Sequence, residues 1–240
     1  MSQHPLVVIT GASSGIGAAT ARAFAAAGHP LLLIARRLEP MRDLGIADAE
    51  LAACDVNDTA AVSSALARAE ERFGPVDLLI NNAGLMALSS VAEQDPALVQ
   101  EQFDVNCVAL MKNSQLVLPR MQQRRHGTII NIGSIAGKQL YGDHTVYNGT
   151  KFAVHAMTEG LRRENAAYGV RVLLVAPGMV DTSLLGHTHG EVLDGYLDYK
   201  RSIGGGLAPE DVAQAILTAY QLPQHISFRE IVVAPTSQDA

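Results

Sequence analysis

Short apolar runs alternate with longer mixed stretches along the chain. The runs at 6–10 and 31–35 contain almost no polar residues, which is typical of strands that are buried on both faces of a parallel sheet. Similar runs recur after each mixed stretch. They predict further strands at 51–54, 78–80, 127–133, 170–176 and 230–234.

The stretches between the predicted strands indicate helices. The one at 60–73 shows the clearest 3.6-residue spacing of apolar positions, and Gly74-Pro75 ends it. The segment 179–207 has no sustained pattern and is predicted to be a loop with small helical pieces. The predicted helices lie at 18–27, 60–73, 96–122, 146–168 and 209–222.

The regular alternation of strand and helix predicts the fold class. Such an alternation builds βαβ units, and these units form a parallel sheet that helices cover on both faces. No internal repeat, low-complexity tract or linker divides the sequence. We therefore expect an α/β fold in one Rossmann-like, doubly wound domain over residues 1–240, with about seven parallel strands and a loop at 179–207.

A glycine-rich turn from Thr10 to Gly17 directly follows the first strand and opens a helix. Glycines allow a tight turn and a close approach of a phosphate, and the N–H groups and helix dipole favour an anion. A tight turn without a ligand is the alternative, which the position after a buried strand disfavours. The residues predicted to bind a dinucleotide here are Gly11, Ser13, Ser14, Gly15, Ile16 and Gly17.

The end of the second strand favours one dinucleotide over another. An enzyme that prefers NAD carries a carboxylate at this point to bind the ribose, whereas this chain has Ala35-Arg36-Arg37. Two guanidinium groups can hold a 2′-phosphate, so Arg36 and Arg37 predict NADP(H) as the cofactor. The alternative is a solvated basic corner.

Tyr147 and Lys151 are four residues apart in a predicted helix and therefore share a face. A nearby ammonium favours a phenolate and lowers the pKa of the phenol. Such a tyrosine can give a proton to a ketone oxygen or take one from an alcohol. A surface pair that arose by chance is the alternative, because the spacing alone is common.

Other polar residues fall where an open α/β sheet places its ligands, at the carboxyl ends of strands. Ser134 follows the fifth strand, and its hydroxyl could hold a substrate oxygen opposite the tyrosine. The segment from Asn81 to Gly84 follows the fourth strand at the same edge. Asn106 lies inside a predicted helix, where a buried amide is unfavourable unless it is bonded.

Together these residues resemble the short-chain dehydrogenase/reductase family in its compact, NADP-preferring form, from Thr10 to about Val233. The resemblance implies that Tyr147 is the general acid/base and that Lys151 binds the nicotinamide ribose and lowers the pKa of the tyrosine. Ser134 would orient the substrate oxygen, and Asn106 would distort its helix and anchor a water. At Ser14 some NADP-using members carry a basic residue.

The resemblance also assigns the rest of the site. Asp55 and Val56 would contact the adenine, and the residues after the fourth strand would line the adenosine ribose. The substrate would lie against residues around Ser134 and the loop at 179–207. Besides the residues already named, the sets are Asn82, Ala83, Gly84, Tyr147, Lys151, Pro177, Gly178, Val180 and Thr182 for the cofactor, and Ser134, Tyr141, His144, Met179, Leu184 and Leu185 for the substrate. Members of this kind form homotetramers or homodimers through two long helices.

The amino-acid composition limits the kinds of partner and the cellular location that we expect for the protein. With 48% hydrophobic and 18% charged residues and a net charge of -6, the chain is typical of soluble globular proteins and lacks the basic face that nucleic acid needs. No membrane span or signal peptide is evident, so we expect a cytoplasmic protein. Cys54 and Cys107 are predicted to be buried thiols, and His187 and His189 an exposed pair that binds no metal.

Three functions remain open at this point. The first is a carbonyl reductase or alcohol dehydrogenase that acts on a small molecule. Residues 222–225 resemble the NADP-using 3-hydroxy-acid and serine dehydrogenase group within it. The second is a redox sensor or scaffold that binds a dinucleotide without turnover, which the presence of Ser134, Tyr147 and Lys151 disfavours. The third is reduction of a conjugated C=C bond on the same fold.

Overall fold

The computed structural model describes residues 4–239 and contains one seven-stranded parallel sheet in the order β3-β2-β1-β4-β5-β6-β7. Each of the five inner strands is fully buried and mostly apolar, as its sequence predicted. The strands are β1 (Leu6–Thr10), β2 (Leu31–Ala35), β3 (Ala49–Ala53), β4 (Val76–Asn81), β5 (Thr128–Ile132), β6 (Arg171–Pro177) and β7 (Glu230–Val233).

Helices cover both faces of the sheet. Alternate residues of β1 point to opposite faces, so Leu6 and Val8 pack in one core cluster and Val7 and Ile9 in the other. The helices are α1 (Gly15–Ala26), α2 (Glu39–Arg42), α3 (Thr59–Phe73), α4 (Pro96–Phe103), α5 (Ala109–Arg124), α6 (Thr145–Asn165), α7 (Gly190–Ser202) and α8 (Pro209–Gln221). The first cluster includes side chains of α3, α5 and α6, and the second includes side chains of α1, α2 and α8.

The strand order creates a crevice at the centre of the sheet. From β1 the chain runs outward to β2 and β3, and it then returns to place β4 on the other side of β1. The connections on the two sides leave the sheet toward opposite faces, which opens a space beyond the carboxyl ends of β1 and β4. This is where the glycine-rich turn lies.

Three sequence expectations differ from the structure. The predicted helix at 96–122 is interrupted by a π-helical turn, Asp104–Val108, between α4 and α5. The predicted loop at 179–207 contains α7, a helix of 13 residues. Cys54 is only half-buried, whereas Cys107 is buried. None of the helices within residues 4–239 is long and apolar enough to cross a membrane.

Candidate active site

A cavity of about 640 Å³ opens beyond the carboxyl ends of β1, β4, β5 and β6. All but two of the site residues predicted from the sequence line it, and the exceptions are Gly17 and Asn106. The predicted residues that line it are Gly11, Ser13, Ser14, Gly15, Ile16, Arg36, Arg37, Asp55, Val56, Asn82, Ala83, Gly84, Ser134, Tyr141, His144, Tyr147, Lys151, Pro177, Gly178, Met179, Val180, Thr182, Leu184 and Leu185.

The glycine-rich turn presents bare backbone to this cavity. A Cβ atom at Gly17 would lie 2.3 Å from the carbonyl oxygen of Gly11, and one at Gly11 would lie 2.9 Å from the Cα atom of Ala83. Gly11 and Gly15 also have positive φ angles of 67° and 53°, which side chains disfavour. Gly11 and Gly17 therefore allow the turn to pack tightly on itself and on Ala83. A Cβ atom at Gly15 would lie 3.0 Å from the Thr182 side chain, which also lines the cavity, so the bare backbone there fits a bound phosphate group.

Helix α1 begins at this turn with its positive end facing the cavity. Ser14 precedes the helix in an extended conformation, and the first turn carries no acidic residue that would oppose an anion. Asn82 fixes the turn, since its Nδ2 atom donates hydrogen bonds to the carbonyl oxygens of Thr10, at 2.9 Å, and Gly11, at 3.3 Å. The Thr10 hydroxyl accepts from the backbone N–H groups of Asn82 and Ala83, each at 3.0 Å.

Arg36 and Arg37 follow β2 and are exposed at the rim of the cavity. The Arg36 guanidinium lies 3.9 Å from the Glu101 carboxylate, and both side chains are well exposed. A loose surface pair of this kind contributes little energy, so the guanidinium groups can reach an anionic ligand. Asp55 and Val56, which follow β3, line the same part of the cavity.

Tyr147 and Lys151 lie one turn apart in α6, and each is only 6% exposed. The Lys151 Nζ atom donates a hydrogen bond to the carbonyl oxygen of Ile132 at 2.9 Å and lies 5.7 Å from the centre of the Tyr147 ring. Burial lowers the pKa of Lys151 to about 8, against an opposing effect of the Cys107 thiol. The pair therefore shares a face and a cavity wall, as the spacing predicted.

The pKa of Tyr147 differs from the sequence expectation. The lysine was expected to lower it, but in the folded chain burial outweighs every other effect and raises the pKa of the phenol. A side-chain hydrogen bond with Ser134 acts in the opposite direction. The phenol consequently keeps its proton at neutral pH and is prepared to act as an acid.

Ser134 follows β5 and begins a 3₁₀ turn, Ile135–Gly137. Its hydroxyl accepts a hydrogen bond from the backbone N–H of Ala136 at 3.1 Å. Its carbonyl oxygen accepts one from Nε2 of His155 in α6 at 3.0 Å. The other ring nitrogen of His155 lies 3.8 Å from Glu230 of β7. The serine is therefore held between its own turn and α6.

Asn106 lies within the π-helical turn and is 2% exposed. Its Oδ1 atom accepts from the backbone N–H of Leu85 at 2.8 Å, and its Nδ2 atom donates to the Leu85 carbonyl and to the Thr150 hydroxyl at 2.9 and 3.0 Å. The predicted distortion of the helix is present. The side-chain hydrogen bonds tie the segment after β4 to α6, which gives Asn106 a positioning role.

Apolar and aromatic side chains surround the end of the cavity near Tyr147. Met86, Leu88 and Ala136 form a buried cluster with the tyrosine, and Tyr141, Leu185, Val192 and Tyr196 pack against it. The His144 ring lies between the rings of Tyr141 and Tyr196, at centroid distances of 5.6 and 6.4 Å. We call Tyr141, His144 and Tyr196 the aromatic wall.

Sequence reasoning missed several residues of this site. Tyr196 and Val192 were overlooked because their segment was assigned to a loop, although Val192, Tyr196 and Tyr199 have helical spacing. The hydroxyl of Thr10 and the ring of His155 have no signal in the sequence, since their partners are backbone groups far along the chain. Within the described residues no three His, Cys, Asp or Glu side chains come together to hold a metal ion.

Comparisons with known proteins agree with this geometry. A family model described as short chain dehydrogenase matches residues 5–191. An uncharacterized oxidoreductase of Staphylococcus saprophyticus is 38% identical over 240 residues, which cover 97% of this chain and 98% of that protein.

Two solved structures are similar over nearly the whole chain. The closed form of a serine dehydrogenase complexed with NADP+ has a TM-score of 0.90 and 31% identity, covering 98% of this chain and 96% of the other. An alcohol dehydrogenase from the archaeon Thermococcus sibiricus, complexed with 5-hydroxy-NADP, has a TM-score of 0.83 and 28% identity, covering 99% of both chains.

Proposed function

The chain belongs to the short-chain dehydrogenase/reductase family and is an oxidoreductase of that type, and from this premise we propose that it interconverts a carbonyl and an alcohol on a small molecule with NADP(H). The observation that carries the proposal is that Tyr147, Lys151 and Ser134 line the same cavity as the glycine-rich turn. An acid/base group and a phosphate cradle in one crevice suit hydride transfer to a carbonyl.

Each side chain of the site has its own role in the proposed carbonyl reduction. Ser134 holds the substrate oxygen, and Tyr147 donates a proton to that oxygen as the carbonyl carbon receives a hydride. The nicotinamide supplies this hydride when it is bound. Lys151 binds the nicotinamide ribose, and Asn106 positions the wall of the cavity. Burial keeps the Tyr147 proton in place at neutral pH, so the phenol can donate it when a carbonyl is reduced.

The residues around the crevice fit a dinucleotide. Gly11 and Gly15, in the turn that Gly17 allows to close, would take the diphosphate, and Arg36 and Arg37 would take the 2′-phosphate. NADP+ and 5-hydroxy-NADP in the two similar structures support the choice of cofactor. The other proposed contacts are Ser13, Ser14 and Ile16 for the diphosphate, Asp55 and Val56 for the adenine, Asn82, Ala83 and Gly84 for the adenosine ribose, and Pro177, Gly178, Val180 and Thr182 for the nicotinamide.

Oligomerisation is proposed on a separate observation. Phe103 in α4, Val108 in the π-helical turn and Phe152 in α6 are large apolar side chains with exposures of 38%, 40% and 42%. Exposed apolar side chains on neighbouring helices are typical of a surface that another chain covers. They support a homotetramer or a homodimer built through these helices.

The proposed activity is tested by following NADPH oxidation with a panel of aldehydes and ketones and identifying the products. We expect the carbonyl carbon to be reduced to an alcohol. A product in which a conjugated C=C bond is reduced, with the carbonyl intact, would favour the third of the functions considered above. Tight binding of NADPH without turnover of any carbonyl would favour a sensor or scaffold.

The double substitution Arg36→Ala with Arg37→Ala is expected to raise the KM for NADPH about tenfold or more and to leave the KM for NADH nearly unchanged. Only NADPH carries the phosphate that the two guanidinium groups would hold. Steady-state kinetics with both cofactors measures the difference. The matched control is Arg68→Ala with Arg72→Ala, which removes the same charge from α3 outside the cavity. An equal loss for both cofactors would contradict the assignment.

A further inference from the structure

We propose that the substrate of this site is a neutral aldehyde or ketone that bears an aromatic or similarly flat apolar group, and not a hydroxy acid or a keto acid. This inference rests on the proposed function and names its substrate class. It is carried by two independent features of the cavity, the aromatic wall and the distribution of positive charge.

The aromatic wall faces the position where the carbonyl must lie. Tyr196 packs against the cluster that contains Tyr147, and its ring is nearly parallel to that of His144, with an interplanar angle of 22°. Tyr141 continues the wall on the other side of His144. Met86 and Leu185 belong to the same cluster. Flat rings flanked by aliphatic side chains favour a flat apolar ligand through stacking and burial.

The aromatic wall is uncharged at neutral pH. Burial raises the pKa of Tyr196 to about 12 and raises that of Tyr141 as well. Burial also lowers the pKa of His144, whose Nδ1 atom lies 2.5 Å from the carbonyl oxygen of Gly142. All three rings therefore remain neutral, and none of them supplies a cation for an acidic substrate.

The lysines and arginines of the cavity are committed elsewhere. Among the residues of the described chain that line it, these are Arg36, Arg37, Lys151 and Lys200. Arg36 and Arg37 follow β2, and Ser134 follows β5. The strands β1 and β4 lie between β2 and β5, so the two ends are about 14 Å apart across the sheet. The amine of Lys200 lies 2.6 Å from the Asp181 carboxylate.

Lys151, His187 and Glu191 also line the cavity, and they provide no buried cation that is free to pair with a substrate carboxylate. Lys151 is buried and donates to the Ile132 carbonyl, and the proposed function assigns it to the ribose. His187 is exposed at the rim, and Glu191 adds a negative charge to the same lining. A carboxylate beside Tyr147 would therefore lose its water without gaining an ionic partner.

The charge of the proposed substrate differs from that of the substrate of a protein with a similar fold. Serine, the substrate named for the similar serine dehydrogenase, carries a carboxylate and an ammonium group at neutral pH. The cavity described above has no free partner for that carboxylate among its lysines and arginines. We therefore expect the two proteins to share the reaction and to differ in the charge of the substrate.

The test compares 4-methylbenzaldehyde with 4-carboxybenzaldehyde, which have similar shapes and differ in charge. With NADPH, we expect kcat/KM to be about tenfold or more higher for the neutral aldehyde. An equal or higher value for the carboxylate overturns the inference and leaves the proposed function intact. No turnover of these or any other carbonyl overturns the proposed function, and the inference falls with it.

The distribution of charge and the aromatic wall are tested separately, each by its own variant. Leu185→Arg places a cation in the cluster and is expected to reverse the preference between the two aldehydes. Tyr196→Ala is expected to lower the preference for benzaldehyde over cyclohexanecarbaldehyde about threefold to tenfold, and Tyr196→Phe to restore it. Tyr168→Ala, which removes an exposed tyrosine outside the cavity, is the control. An unchanged preference in both Leu185→Arg and Tyr196→Ala would contradict the inference.

Discussion

Replacement of Tyr147 by Phe is expected to lower kcat for carbonyl reduction about a thousandfold and to leave the affinity for NADPH unchanged. The substitution removes one oxygen atom from a side chain that is 6% exposed and otherwise keeps its packing. Burial raises the pKa of this phenol, so the wild-type group carries its proton at neutral pH and can deliver it to the substrate oxygen. Phenylalanine fills the same space and has no proton to give.

The measurements are kcat with 4-methylbenzaldehyde and NADPH, and NADPH binding followed by its fluorescence. Tyr168→Phe is the matched control, because this exposed tyrosine lies outside the cavity and its hydroxyl has no part in the proposed chemistry. A Tyr147→Phe variant that keeps kcat within about threefold of the wild type would mean that another group supplies the proton. His144 would then be the first candidate, since it lines the same end of the cavity.

The sheet could be predicted from the sequence because each inner strand contains a run of consecutive apolar residues. Leu31–Ala35 and Thr128–Ile132 are buried on both faces, so no alternation obscures their signal. The outermost strand β3 had the largest error relative to its length. β3 covers Ala49–Ala53 instead of 51–54, and its residues are mostly half-buried. Weaker burial at the sheet edge gives a weaker pattern.

The glycine-rich turn and the pair in α6 could also be predicted, for a different reason. Their geometry is local, since a helix places Tyr147 and Lys151 on one face and a turn brings Gly11 and Gly17 together. The sequence alone did not reveal the sign of the pKa shift of the tyrosine. That sign depends on burial by Met86, Ala136 and other residues distant in the sequence, which outweighs the effect of the lysine.

The end of the cavity near Tyr147 was the part least accessible to sequence reasoning. Helix α7 carries the aromatic ring of Tyr196, but Gly190 and Gly195 reduce its intrinsic helix propensity and concealed its amphipathic spacing. Packing of Val192 and Tyr196 on the cluster around Tyr147 favours the helix despite those glycines. The proposed selection of the substrate thus depends on a helix whose formation is decided by tertiary contacts.

Lys151 presents a conflict between stability and the proposed activity. The side chain is 6% exposed, and burial lowers its pKa from the usual 10.5 to about 8. A shift of this size corresponds to about 3 kcal/mol of destabilisation of the charged form, and the hydrogen bond to the Ile132 carbonyl offsets part of the cost of its burial. An uncharged side chain of similar length avoids this cost and cannot bind the ribose.

We expect Lys151→Met to abolish turnover near neutral pH and to raise the free energy of unfolding by about 2 kcal/mol at pH 7. The gain in the free energy of unfolding of Lys151→Met over the wild type becomes smaller as the pH rises. Below about pH 8 the wild-type amine is charged in both the folded and unfolded states, so the full cost is present. Between about pH 8 and 10.5 only the unfolded state stays protonated, so the wild type gains stability as pH rises.

Urea denaturation of both proteins at pH 7 and at about pH 9.5 measures this dependence, and the advantage of Lys151→Met should fall to near zero at the higher pH. The effect of Tyr147, whose pKa is raised, is common to both proteins and cancels in the comparison. Lys112→Met, at an exposed position of α5, controls for the loss of a lysine. A Lys151→Met variant that is less stable than the wild type at pH 7 would mean that the amine stabilises the fold, and the conflict between stability and activity would not exist at this position.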